Sequence, residues 1–120
     1  MKAIQIKATG SAENLEYVEI PTPAPGDNQV LVKTRTIGVT FGDIMMQHGT
    51  YPLMPPLPAV LGSECSGTVE SVGKNVANLK PGQRVVVTGS VGCYAEYVVA
   101  ESNRVMPIPD GIEDELISVF

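Results

Sequence analysis

The chain has 120 residues, 43% apolar and 18% charged, with a formal net charge of −5. This is the composition of one globular domain, able to hide roughly two thirds of its unfolded surface and too apolar for a disordered segment. The eight Lys and Arg are scattered through an acidic sequence, which excludes the basic stripe that a nucleic acid backbone requires, and no run reaches the ~18 consecutive apolar residues of a membrane helix.

The amino terminus, MKAIQIKATG, carries no apolar segment followed by a cleavage site, so a cytoplasmic location is expected. Lys2 to Lys7 alternates polar with apolar residues, placing Ile4 and Ile6 on one face of an opening strand. Leu15 to Ile20 repeats the pattern and stops at Pro21, after which Pro23, Pro25 and Gly26 make an extended connection. Gln29 to Val39 is the longest strand expected. It sets Val30, Val32, Thr34 and Thr36 on one face and Leu31, Lys33, Arg35 and Ile37 on the other, and Gly38 breaks it.

Thr40 followed three residues later by Asp43 resembles a capping box, and Gly49 stands where a helix would end, so one or two helical turns fit between them. The next segment is dense in proline. Pro52, Pro55, Pro56 and Pro58 each fix φ and restrict the residue before them, giving a wall that is stiff before anything binds. Gly62 and Gly67 flank Ser63 to Ser66, and glycine inside a strand pattern marks a bulge or a close approach.

Cys65 to Val72 reads as another strand, closed by Gly73, Lys74 and Asn75. Pro81-Gly82 turns into the apolar run Val85 to Val87. Gly89 to Gly92 forms a loose loop, Tyr94 to Ala100 is strand-like, and Ile112 to Phe120 begins a helix. Six or seven short strands with little helix argue for a mainly all-β fold, a barrel or sandwich of Greek-key type with one or two short helices.

The only cysteines, Cys65 and Cys93, could bridge in principle, but a reducing compartment favours packed thiols. With His48 as the only histidine, no metal-ligand spacing is recognisable.

PGDNQVLVKTRTIGVTFGDIMMQHGTYP, PAVLGSECSGTVESVG, LKPGQRVVV and GCYAEYVV followed by a Pro-containing strand together resemble the amino-terminal GroES-like domain of the medium-chain dehydrogenase/reductase superfamily. Within it they are most similar to the zinc-independent quinone oxidoreductases. The resemblance runs over practically the whole chain and implies a GroES-like, partly open β-barrel spanning residues 1–120. It also implies a parent enzyme that passes a hydride from NADPH to a quinone or an α,β-unsaturated carbonyl.

Zinc-dependent alcohol dehydrogenases of the superfamily carry a ligand cysteine where this chain has Thr40, and Gly-His-Glu where it has Gly62-Ser63-Glu64. The four-cysteine lobe for structural zinc is missing after Arg84. The resemblance therefore implies a site without metal, in which hydrogen bonds stabilise the reacting carbonyl. Quinone reductases of this type often carry Asn at the Thr40 position and Tyr at the Met45 position. Here neither is kept. The pair Met45-Met46 resembles the synaptic-vesicle-amine-transport-like subgroup. Relatives continue into a Rossmann domain, but no G-x-G-x-x-G opening a helix occurs here, so the chain is expected to be a truncated or isolated domain that binds no NADPH alone.

The resemblance nominates Tyr51 and Thr40 as catalytic residues, and Thr40, Asp43, Met45, Tyr51 and Glu64 as contacts to the cofactor. Each has a structural reading beside the functional one. Tyr51 could pack under the proline loop, Thr40 is explained by a helix cap, and Asp43 favours the positive end of that helix. Glu64 suits a structural salt bridge or backbone hydrogen bonds, while Met45 and Met46 suit core filling. His48 reads as a solvated cation at the helix end.

The enzymatic expectation stands against two alternatives, a domain of an enoyl-thioester reductase and a non-catalytic GroES-like module. In the last case unpaired strand edges would join a second copy as a homo-oligomer.

Overall fold

The computed structural model describes residues 1–52 and 54–113. Eight strands and one α-helix follow in the order β1 (Lys2–Ile6), β2 (Leu15–Glu19), β3 (Gln29–Gly38), α1 (Phe41–His48), β4 (Ala59–Val60), β5 (Glu64–Val72), β6 (Arg84–Thr88), β7 (Tyr97–Glu101) and β8 (Val105–Pro107). Single 3-10 turns lie at Ala12–Asn14 and Ser102–Arg104.

The alternation along β3 decides the core. Val30 and Val32 are fully buried and join Cys65, Val69, Val85, Val87, Cys93, Val98, Ala100 and Val105 in one apolar cluster. Each such valine contributes about 1.5–3 kcal/mol by leaving water. β3 lies inside a five-stranded antiparallel sheet of order β7-β3-β5-β6-β8, between β7 and β5, and β2-β1-β4 forms a second sheet. A smaller cluster of Ile6, Met46, Ala59 and Leu61, flanked by Tyr51, Met54 and Tyr94, lies between that second sheet and α1.

The two sheets meet through Tyr94 to Glu96. The Ile4 amide donates to the Tyr94 carbonyl (2.8 Å), the Glu96 amide to the Lys2 carbonyl (3.0 Å) and the Thr34 amide to the Glu96 carbonyl (2.9 Å). The strand expected from Tyr94 therefore starts at Tyr97 instead: Tyr94 to Glu96 bend across to β1, with Ala3 opposite Ala95, while the Glu96 carbonyl still accepts from β3. The barrel is closed at this corner and open elsewhere, a mainly β architecture as expected.

Two further departures are small. β4 is a two-residue strand paired to Gln5 and Ile6, too short to leave a periodic pattern. The helix expected at Ile112 to Phe120 falls, beyond residue 113, outside the described residues.

The register of β3 against β5 shifts between Thr34 and Thr36. At this bulge, a Cβ on Gly67 would stand 2.1 Å from the Lys33 carbonyl oxygen. Only glycine lets the two backbones come so close.

Candidate functional site

The site is assembled where β3 ends. Gly38 closes the strand and Thr40 stays extended (φ −110°, ψ 163°) as the N-cap of α1. The expected capping box is present in both directions. The Asp43 amide donates to Thr40 Oγ1 (3.2 Å) and the Thr40 amide donates to Asp43 Oδ2 (3.0 Å). α1 then ends at Gly49, whose left-handed backbone (φ 83°) lets its amide close the last turn.

Asp43 is 3% exposed. Its Oδ2 accepts a second bond from the Tyr94 hydroxyl (3.1 Å), while Oδ1 has no partner among the described residues. Burial first, and then the Asp43 charge and the hydrogen bond to it, push the Tyr94 phenol well above the ordinary tyrosine value. Tyr94 stays a neutral donor, suited to a carboxylate acceptor.

The turn between β4 and β5 supplies the other half. Its backbone is laced to the segment before β7: the Tyr94 amide donates to the Leu61 carbonyl (2.9 Å), the Cys93 amide to the Gly62 carbonyl (3.0 Å) and the Ser90 amide to the Ser63 carbonyl (3.3 Å). This lacing presents the Ser63 hydroxyl 3.4 Å from Thr40 Oγ1. Because Thr40 Oγ1 already accepts from the Asp43 amide, its own proton is free to go outward. The Asp43 N–H thus polarises the Thr40 hydroxyl, and the Thr40 and Ser63 protons can both be turned outward from neighbouring oxygens. The positive end of the α1 dipole lies behind them.

The residues singled out by sequence fall into two groups. Thr40 and Asp43 are joined as described. Tyr51 is half-buried against the Ile6–Leu61 cluster, and its ring comes within 3.5 Å of the position a Cβ on Gly42 would take, on the first turn of α1. Met45 is half-buried on α1, and its carbonyl accepts from the Thr50 amide (2.9 Å); its neighbour Met46 is core filling at 5% exposed. Glu64 packs over Gly38, with Oε1 2.6 Å from the place of a Cβ there. It has no ion pair among the described residues. His48 is exposed on the last turn of α1.

Ser63 and Tyr94 were not among the residues expected to act. The signal for Ser63 was present, because it fills the place of the histidine in the Gly-His-Glu motif. Nothing local pairs Tyr94 with a carboxylate 51 positions away.

Cys65 and Cys93 are both free and buried, which decides between the two readings of the pair. The Cys93 thiol is pushed far up, first by its hydrogen bond with Cys65 and then by burial, with the Asp43 and Glu64 charges adding to both. Among the described residues no three His, Cys, Asp or Glu side chains converge as metal ligands would. A groove of about 540 Å³ between β1, β2 and the outer half of β3 shares Tyr94 with the site but touches none of Thr40, Asp43 or Ser63. It is therefore a separate feature.

Residues 26–110 match the family model described as the alcohol dehydrogenase GroES-like domain. A quinone oxidoreductase of Pseudomonas aeruginosa is 43% identical over 115 residues, covering 95% of this chain and 35% of that protein. The human quinone oxidoreductase is 35% identical over 94% of this chain and 35% of its own length. Among solved structures, the Escherichia coli quinone oxidoreductase complexed with NADPH superimposes with a TM-score of 0.93 at 31% identity, over 98% of this chain and 36% of that one. The human synaptic vesicle membrane protein VAT-1 homolog-like protein gives 0.95 at 29% identity, over all of this chain and 38% of that one. The chain thus spans about a third of the length of the relatives it matches.

Proposed function

The chain belongs to the alcohol dehydrogenase GroES-like domain family, and from that footing we propose that it forms the substrate wall of a zinc-independent, NADPH-dependent quinone oxidoreductase. The observation that carries this reading is the pair of hydroxyls, Thr40 and Ser63, at the amino end of α1. They stand where zinc-dependent members hold metal ligands. The relatives named quinone oxidoreductase, and the NADPH complex of one of them, support it.

NADPH, held by a nucleotide-binding domain, supplies the hydride; this chain on its own is inactive and binds no NADPH. The chain's own residues act on the carbonyl oxygen. Ser63 and Thr40 donate to it, and the α1 dipole favours the negative charge that grows there as the ring gains electrons. Such hydrogen bonds are weaker than a Lewis acid, and they suffice for a quinone, which becomes aromatic on reduction. The Ser63 hydroxyl passes its proton to the resulting oxyanion, and solvent restores it. Tyr51, fixed between α1 and the proline loop, bounds the ring. Asp43 acts behind this surface by holding the cap, with no contact to the substrate. A cytoplasmic setting, where NADPH is maintained, suits the reading.

Steady-state NADPH oxidation tests it, with the chain joined to an NADPH-binding domain and a panel of quinones and enones. Quinone-dependent oxidation is expected, and none from the 120-residue chain. Failure of the joined protein with the whole panel would overturn the proposal.

A further inference from the structure

We infer that Tyr94 is a positioning residue, a brace that sets the spacing of the Thr40 and Ser63 hydroxyls from behind both of them. The inference deepens the carbonyl reading above and rests on it for its functional half.

Tyr94 touches each arm of the pair separately. Its hydroxyl donates to Asp43 Oδ2 (3.1 Å), the same oxygen that receives the Thr40 amide (3.0 Å), so the carboxylate is held by one donor from the helix cap and one from Tyr94. Its backbone amide donates to Leu61 (2.9 Å), two residues before Ser63. Its ring lies flat against the turn: a Cβ on Gly62 would stand 2.5 Å from Tyr94 Cδ1 and 2.7 Å from its amide nitrogen. Glycine at position 62 is thus the space that the tyrosine fills. The ring also borders the Ile6, Met46 and Leu61 cluster on which α1 rests. Hence α1 and the β4–β5 turn, separate in sequence, share one rigid support.

The two ends of the support differ chemically. The ring and backbone contacts fix the Ser63 turn without the hydroxyl. Of the Tyr94 groups only the hydroxyl holds Asp43, whose Oδ2 otherwise has the Thr40 amide and whose Oδ1 has no partner among the described residues. Removing that single oxygen from Tyr94 should free the cap and leave the turn in place, opening the pair from the Thr40 side.

Amide hydrogen exchange and chemical-shift mapping compare the unsubstituted chain with Tyr94→Phe, using duroquinone as the probe. Exchange at the Thr40 amide is expected to rise about tenfold while Val30 and Val32 stay unchanged, since the lost bond is local. The effect of duroquinone on the Thr40 and Ser63 signals should weaken by a similar factor. In the protein joined to an NADPH-binding domain, kcat with duroquinone should fall about tenfold with KM for NADPH unchanged, a split that general loosening of the fold would not give.

Thr40 exchange equal to that of the unsubstituted chain would overturn the brace. If Tyr94→Phe does not fold, Gly62→Ala, whose methyl on a left-handed backbone (φ 99°) meets the Tyr94 ring at 2.5 Å and its amide nitrogen at 2.7 Å, must show the same loss at Thr40. Faster Thr40 exchange in a chain whose Thr40 and Ser63 signals never respond to duroquinone supports the brace and contradicts the carbonyl reading, so the two fail separately.

Discussion

Thr40 and Ser63, 23 positions apart, bring their hydroxyl oxygens to 3.4 Å at the start of α1. One is presented by a helix cap and the other by a turn laced to the segment before β7, so neither side chain needs to be ordered by a ligand. Fixed donors aimed at developing charge are what a carbonyl reduction without metal requires.

Ser63→Ala removes one donor without touching the capping box. Quinone turnover in the joined protein should fall roughly tenfold to a hundredfold, with the urea midpoint of the domain unchanged. Equal turnover would remove Ser63 from the site.

Asp43→Ala should cost about 1–3 kcal/mol of stability, from the lost cap and from a half-buried Tyr94 hydroxyl left without its acceptor. Asp43→Asn, which keeps an acceptor, should cost less. Urea unfolding followed by circular dichroism measures both, and equal losses would contradict the hydrogen-bonding role.

Gly67→Ala places a methyl 2.1 Å from the Lys33 carbonyl oxygen, so the β3–β5 bulge must open, at about 2 kcal/mol or more. Gly26→Ala meets only the end of the Gln29 side chain at 3.2 Å and should change the midpoint little. Similar unfolding midpoints for the two variants would argue against the close approach.

The raised Cys93 and Tyr94 groups give stability a definite pH sign. Both are held neutral in the fold above their unfolded values, so their contribution is complete at low pH. It declines as pH rises past about 8.5, where an unfolded thiol ionises, and again past about 10 for an unfolded phenol. The urea midpoint should fall over that range, and Tyr94→Phe should lose the upper part of the fall. In the native chain neither thiol should react with a disulfide reagent at pH 8, whereas both should in urea. Fast labelling of the native chain would contradict their burial.

How far the sequence foretold this depends on the range of each interaction. The alternation of β3, the Thr40–Asp43 box and the Gly49 stop are set by residues within one or two turns of each other, and they stand as the pattern indicates. Gly67 was marked as a close approach, though the Lys33 carbonyl it meets could not be named in advance. The start of β7 was misplaced because Tyr94 to Glu96 look like strand in the sequence, yet they bend across to bridge β1 through Ala95. A tertiary choice of partner leaves no mark on the local pattern. The Tyr94–Asp43 bond was out of reach for the same reason, whereas the Ser63–Thr40 contact could have been read from the two superfamily ligand places these residues fill. Both depend on how the β4–β5 turn docks on the segment before β7.

The most direct test is NADPH oxidation by the joined protein with duroquinone as acceptor, comparing the parent with a Thr40→Val, Ser63→Ala double variant. Quinone-dependent oxidation in the parent, its loss in the double variant and unchanged NADPH binding in both is the result expected. A double variant that reduces duroquinone as fast as the parent would contradict the hydroxyl pair as the group that receives the carbonyl.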